Sequence, residues 1–327
     1  MSNKNEDKLS KITLFDKMNA NVLGAVTKEM PRLKKARKEN NYKHSEPTFR
    51  VPPKMPFEYI TLEGLEIRVA IDTKDDSRPN LVLLSPYPHS IMGYAPMWEK
   101  LKEHFNLFAY DMPGFGRSQK SLDHMTFKAQ GEFLKVFLDH YKIKSPHLFG
   151  PDVGMPAILY YTGTFENSVK SLIIGDGPGI APSANASMID KMVYSGFWRT
   201  VFKIAGEGAL VEGAKLVCFT NYTPNEIEMS DYKKSYAGGK VADSMQWFKD
   251  YDKSIADTDP LIDKIEQPTL IFWGDEDAIL YPENGERMHQ RMKNSELKIF
   301  EKTGHFSYLD RYEEFGDILV TWVLKQN

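Results

Sequence analysis

Six short, largely apolar runs most constrain the fold of this chain. They fall at residues 81–84, 107–110, 147–149, 172–174, 270–273 and 297–300. Runs this brief, mostly without a polar residue in every second place, are expected to be buried on both faces. That is what strands of a parallel sheet covered on both sides by helices require. Helical stretches are predicted between and after them, near 94–104, 123–141, 153–164, 282–293 and 310–325. Ahead of the first run, residues 57–62 and 66–71 alternate around Gly64 and predict an antiparallel pair. Residues 178–260 hold no regular strand candidate and are rich in aromatics, so a helical lid inserted between two strands is predicted there. The predicted division is an arm over 1–55, an α/β core over 56–177 and 261–327, and a cap over 178–260.

The arm has its own pattern. Leu9, Ile12, Phe15, Met18, Val22, Val26 and Met30 recur at helical spacing, which predicts an amphipathic helix packed on the main domain or on a second copy of the chain, as in a homodimer. A membrane-surface role is disfavoured because Asp7, Asp16 and Glu29 dilute the basic face. The Lys and Arg residues from 32 to 38 read as a solvated helix face. A formal net charge of −3 gives no general attraction to nucleic acid. No apolar run approaches the roughly 20 residues of a spanning helix, and the polar start lacks signal-peptide character, so a cytoplasmic protein is expected. The single cysteine, Cys218, excludes an internal disulfide and reads as a buried spectator thiol. The chain shows no metal-ligand cluster, P-loop or dinucleotide turn, so no cofactor is expected and the partner is a small-molecule substrate.

Parallel sheets bind ligands at the C-terminal ends of their strands. After the run at 147–149 comes Gly150-Pro151-Asp152-Val153-Gly154, then a predicted helix. This is the strand, sharp turn and helix of a nucleophile elbow, with aspartate where serine is usual. Asp152 as a simple helix N-cap is the competing reading. After the run at 270–273 comes Gly274-Asp275-Glu276-Asp277, and after that at 297–300 comes Thr303-Gly304-His305. The order is nucleophile, acid, histidine.

Together with Asp111-Met112-Pro113-Gly114-Phe115-Gly116-Arg117-Ser118, similar to a D-x-P-G-x-G-x-S loop, these residues resemble the α/β-hydrolase superfamily. The resemblance spans about residues 57–326 and is to the aspartate-nucleophile branch, the epoxide hydrolases and haloalkane dehalogenases. It implies a mostly parallel eight-stranded sheet with helices on both faces and an inserted helical lid. It also implies that Asp152 forms an alkyl-enzyme ester, which water activated by His305 then hydrolyses. Asp277 is the implied partner of His305, with Asp275 as runner-up.

The resemblance extends to binding residues. Val153 N–H would supply one oxyanion donor and Tyr87 N–H the other, although Ser85-Pro86 stands where the family has His-Gly. A cis Tyr87-Pro88 bond is expected in such a turn. Epoxide-opening relatives use two lid tyrosines. Tyr194 lies near the first position, while the second falls in Gln246-Trp247-Phe248-Lys249, where phenylalanine cannot donate a proton. Tyr251 is the expected substitute, with Tyr222, Tyr232 and Tyr236 as further lid candidates. Dehalogenating relatives carry a tryptophan directly after the nucleophile. Here Val153 stands, leaving Trp198, Trp247 and His89 to hold a halide. Met155-Pro156-Ala157 offers none of the arginines of fluoroacetate-type relatives. Three other readings stay open: another reaction dependent on Asp152, a catalytically silent binding protein, and a serine esterase using Ser85, Ser90 or Ser118.

Overall fold

The computed structural model describes residues 8–25, 27–75, 77–165 and 168–327. The arm comprises α1 (Leu14–Ala25) and α2 (Met30–Glu39). The core then runs β1 (Phe57–Leu62), β2 (Leu65–Asp72), β3 (Asn80–Leu84), α3 (Ala95–His104), β4 (Asn106–Tyr110), α4 (Phe127–His140), β5 (His147–Pro151), α5 (Gly154–Thr164) and β6 (Ser171–Gly175). Five helices follow before the next strand: α6 (Ser187–Tyr194), α7 (Gly196–Cys218), α8 (Glu226–Ser235), α9 (Lys240–Lys249) and α10 (Tyr251–Thr258). The chain closes with β7 (Thr269–Gly274), α11 (Glu283–Arg291), β8 (Ser295–Phe300), α12 (Ser307–Asp310) and α13 (Tyr312–Gln326).

The sheet has eight strands in the order β1-β2-β4-β3-β5-β6-β7-β8. β2 pairs antiparallel with β1 and with β4, and every other pairing is parallel. Every residue of β4, β5, β6 and β7 is buried, in keeping with the apolar runs that follow their polar first residues.

The elbow sits at the end of β5. Asp152 has φ +52°, and its N–H donates to Gly175 O at 3.0 Å, adding one rung beyond the β5–β6 ladder. A left-handed backbone at a non-glycine residue is tolerated by aspartate but needs its surroundings to hold it. The flanking glycines do that by letting backbone approach backbone. A Cβ on Gly150 would lie 2.6 Å from Ile158 Cδ1 and 2.7 Å from Gly154 C, and one on Gly177 would lie 2.3 Å from Asp152 O.

The insert is fastened to the core by buried charge. Arg68 on β2 reaches Asp231 of α8 at 2.9 Å and Asp111 at 3.6 Å. Lys240 Nζ, at the start of α9, donates to the carbonyls of Gly116 and Ser118 at 2.5 and 2.7 Å.

The arm departs from its predicted form in three ways. It is two helices rather than one, because Pro31 lacks an N–H and is accommodated only in the opening turn of α2. Its apolar stripe faces the domain only at its ends: Ile12 and Met30 pack against the core, whereas Leu14, Phe15, Met18 and Val22 are exposed and Asp16, Ala20 and Gly24 turn inward. Asp16 accepts from Lys233 Nζ and Thr13 N, both at 2.8 Å, and sits where a side chain on Gly208 would collide with it. Arg37 is buried instead of solvated, donating to Phe219 O at 2.8 Å and Leu216 O at 2.7 Å. Val26 and residues 1–7, Asp7 among them, lie outside the described residues.

Replacing Gly150 with alanine forces a methyl group into the β5–α5 contact. Overpacking of this kind should cost about 1–3 kcal/mol, read as a lower urea midpoint with unchanged slope.

Candidate active site

Three side chains from three strand ends converge over the sheet. Asp152 comes from the β5 elbow, Asp277 from the turn after β7, and His305 from the turn after β8. His305 Nδ1 lies 2.9 Å from Asp277 Oδ2, and His305 Nε2 lies 3.7 Å from Asp152 Oδ1. All three are buried. Asp277 is held from several sides, its Oδ1 accepting from Ile279 N (2.7 Å) and Leu280 N (3.0 Å) and its Oδ2 also from Trp273 Nε1 (3.1 Å). Asp275, the runner-up, faces elsewhere: its carboxylate accepts from Thr303 N at 3.1 Å and so ties the two turns together.

The two oxygens of Asp152 have different surroundings. Oδ2 accepts the Tyr87 N–H at 2.5 Å, whereas Oδ1 faces His305. The Tyr87-Pro88 peptide is cis. Val153 lines the cavity beside Asp152, at the start of α5, where an amide has no carbonyl one turn back to bond.

Electrostatics bind the group together. Burial opposes charge on His305, but Asp277 and then Asp152 outweigh it and push the imidazole up to about 10. A further carboxyl, Asp176, joins from the end of β6 with φ +51°. It accepts from Ser307 N (2.9 Å) and Ser307 Oγ (2.7 Å), two residues beyond His305, and from Gly274 N (3.3 Å). Burial, reinforced by the nearby charge of Asp277, holds Asp176 well above the usual carboxylate range. Sequence reasoning missed it, although Gly175-Asp176-Gly177 directly follows an apolar run, the same signal that marked Asp152.

An apolar cavity opens onto Asp152 and His305. The insert contributes Met188, Ile189, Met192, Phe202, Leu210 and Phe248. Among the expected binding residues, Trp247, Tyr251 and Tyr87 line it. The Tyr251 hydroxyl meets Ser183 Oγ and Asn185 Oδ1, both at 3.1 Å, and the Tyr87 hydroxyl meets Ser244 Oγ at 3.1 Å. Cys218 also lines the cavity, and burial pushes its thiol far up, in keeping with a spectator.

Three expected contacts are not made. Tyr194 is 66% exposed, with its hydroxyl directed at Asp252, because the outer face of α6 carries it away from the cavity. Trp198 packs edge-on against Phe197 with Lys191 over its ring, at the outer end of α7. His89 is stacked between Tyr232 and Phe306, with ring centroids 4.1 and 4.2 Å away, behind His305. Burial and the neighbouring His305 push it down to about 3, so it is a neutral packing element at ordinary pH. Tyr222, Tyr232 and Tyr236 are likewise buried in packing: Tyr222 donates to Glu228, Tyr232 stacks on His89, and Tyr236 lies edge-on to Tyr87. The serines of the esterase reading are all engaged away from His305. Ser85 accepts from Met112 N, Ser90 donates to Asp231, and Ser118 donates to Asp111 O. Among the described residues, no three His, Cys, Asp or Glu side chains are grouped to hold a metal ion.

Strand order, elbow and converging side chains define a hydrolase architecture, and the model of the α/β hydrolase fold family matches residues 79–312. The chain belongs to that family. Among curated proteins it is similar to monoacylglycerol lipase ABHD6 of Bos taurus, 23% identical over 82% of both chains. It is also similar to the proline iminopeptidase of Lactobacillus acidophilus, 28% identical over 83% of this chain and 97% of the other. Among solved structures, haloalkane dehalogenase DbeA from Bradyrhizobium elkani superposes with a TM-score of 0.73 at 16% identity, over 84% of this chain and 99% of that one, a likeness of fold.

The charge on His305 predicts a pH signature. Its ordinary value is about 6.5. Because the folded value is higher, its contribution to stability is complete below 6.5 and is lost as pH rises through about 10. In Asp277→Asn, the imidazole titration followed by NMR should fall by roughly 1–3 pH units. The part of the stability loss between pH 6.5 and 10 that His305 contributes should shrink with it.

Proposed function

We propose that this protein hydrolyses small apolar electrophiles through an ester on Asp152, and that epoxides are the substrate class. The observation that carries this reading is the unequal environment of the two Asp152 oxygens. An ester-forming carboxylate needs one oxygen free to attack and the other held where a carbonyl will be. Oδ2, on the Tyr87 N–H, suits the second role and Oδ1 the first.

In the first step Asp152 Oδ1 bonds to an epoxide carbon, and the carbon–oxygen bond breaks with its electrons on oxygen. A phenol delivers the proton. Tyr251 is the candidate, since it shares the cavity with Asp152, and Tyr87 supplies a second phenol. Ester formation removes the negative charge of Asp152, one of the two groups that keep His305 protonated. The imidazole then sheds its proton and can serve as a base, and that proton restores the phenol. His305 next takes a proton from water, whose oxygen adds to the ester carbon. The oxyanion grows on Oδ2 against the Tyr87 and Val153 amides. Collapse releases the diol, and water's second proton leaves on it.

Halide displacement is the second reading, supported by Trp247 in the cavity wall. Val153 brings no indole N–H next to the nucleophile, and two phenols favour an oxygen leaving group.

With a panel of apolar epoxides, His305→Gln should accumulate an adduct of substrate mass on Asp152, while Asp152→Asn should accumulate none. Tyr251→Phe should slow adduct formation by about 10²-fold or more. Absence of any adduct with both epoxides and haloalkanes would overturn the reading, and halide release without diol formation would shift it to the second substrate class.

A further inference from the structure

The arm helix α1 is folded inside out. A surface helix ordinarily buries its apolar stripe and leaves its polar face in water. Here Leu14, Phe15, Met18 and Val22, which lie within one third of the helical circumference, are each more than 60% or about 60% exposed (76%, 67%, 60% and 61%). The opposite side, with Asp16 and two small residues, faces α7. α7 adds to the outer surface. Asp16 sits against Gly208 and Gly24 against Leu216, so the start of the arm runs along the stretch of α7 holding Ile204, which is 79% exposed.

On the arm side of this face the exposed charge has one sign, whereas α7 carries the partly exposed Glu207 and Glu212. Every exposed charged residue from 8 to 38 is a lysine or arginine, Lys11, Lys17 and Lys28 among them, in a chain whose net charge is −3. Between residues 8 and 38 the acids Asp16 and Glu29 are withdrawn from the surface. Asp16 is paired with Lys233, and Glu29 is buried, accepting from Ser187 and Tyr281. An apolar stripe flanked by lysines is the pattern of a helix lying in the headgroup layer of an anionic bilayer.

We propose that α1 and the adjacent part of α7 dock this protein on an anionic membrane surface, with Phe15 and Met18 inserted below the headgroups and Lys11 and Lys17 at their level. Because α7 also turns Phe202 and Leu210 into the cavity, the docked face lies against the cavity wall. An apolar substrate dissolved in lipid would be taken up there. That consequence rests on the proposed reaction, whereas the docking does not.

The test is co-sedimentation of the full-length protein with vesicles of phosphatidylcholine alone or mixed with phosphatidylglycerol. The mixed vesicles should be bound and the neutral ones should not. Phe15→Ser with Met18→Ser should weaken binding about tenfold or more, and Lys11→Gln with Lys17→Gln about tenfold. Thermal unfolding should be unchanged in both pairs, and Ile204→Ser replaces the first pair if it is not. No binding to mixed vesicles, equal binding to neutral ones, or binding untouched by these substitutions would overturn the proposal. So would a dimer in light scattering that the Phe15→Ser, Met18→Ser pair converts to monomer, since a second copy would then cover the face. Adduct formation on Asp152 is measured without vesicles, so failure of docking and failure of the reaction are separable.

Discussion

A carboxylate at the tip of a central strand can act on a ligand only if the chain turns sharply enough to lift it clear of the sheet. At Asp152 that turn is made with a left-handed backbone, which a non-glycine residue holds only under constraint. The constraint comes from contacts too close for side chains: Gly150 against α5, Gly154 against β3, and Gly177 against the Asp152 carbonyl. The last ladder bond, from Asp152 N to Gly175 O, ties the tip to β6. Everything the site does depends on this bend, because it sets where Oδ1 and Oδ2 point.

Around that bend the protein concentrates negative charge and answers it with one cation. Asp152 and Asp277 flank His305 closely enough to overcome the burial that would otherwise strip its proton. The balance is conditional. If either carboxylate loses its charge, part of what holds the proton on the buried imidazole is lost. Asp176, held well above the usual carboxylate range by burial and the nearby Asp277, orients the loop after His305 through Ser307.

The strands were legible because apolar runs in a doubly covered sheet admit little else, and the eight observed strands lie within a few residues of the predicted ones. Asp152, Asp277 and His305 were legible for a related reason: each follows a run, and parallel strands deliver such residues to one edge. The insert was harder to read. Its helices are apolar on more than one side, so spacing alone does not say which aromatics face the cavity. Tyr194 and Trp198 turned outward and His89 became stacking material, while Tyr251 and Trp247 turned in. The arm misled for the opposite reason: its periodicity was clear, but α1 turns Asp16 inward to Lys233 and leaves Phe15, Met18 and Val22 outward.

What the sequence by itself determined was the order of elements and the identity of the residues at strand ends, since burial on two faces and the demands of a tight turn restrict residue type locally. Which oxygen of Asp152 meets an amide, which carboxylate charges His305, and which face of α1 meets water were decided only in the tertiary structure. Those depend on groups 28 to more than 200 residues apart in the chain meeting at distances of a few ångströms, and no local pattern records such meetings.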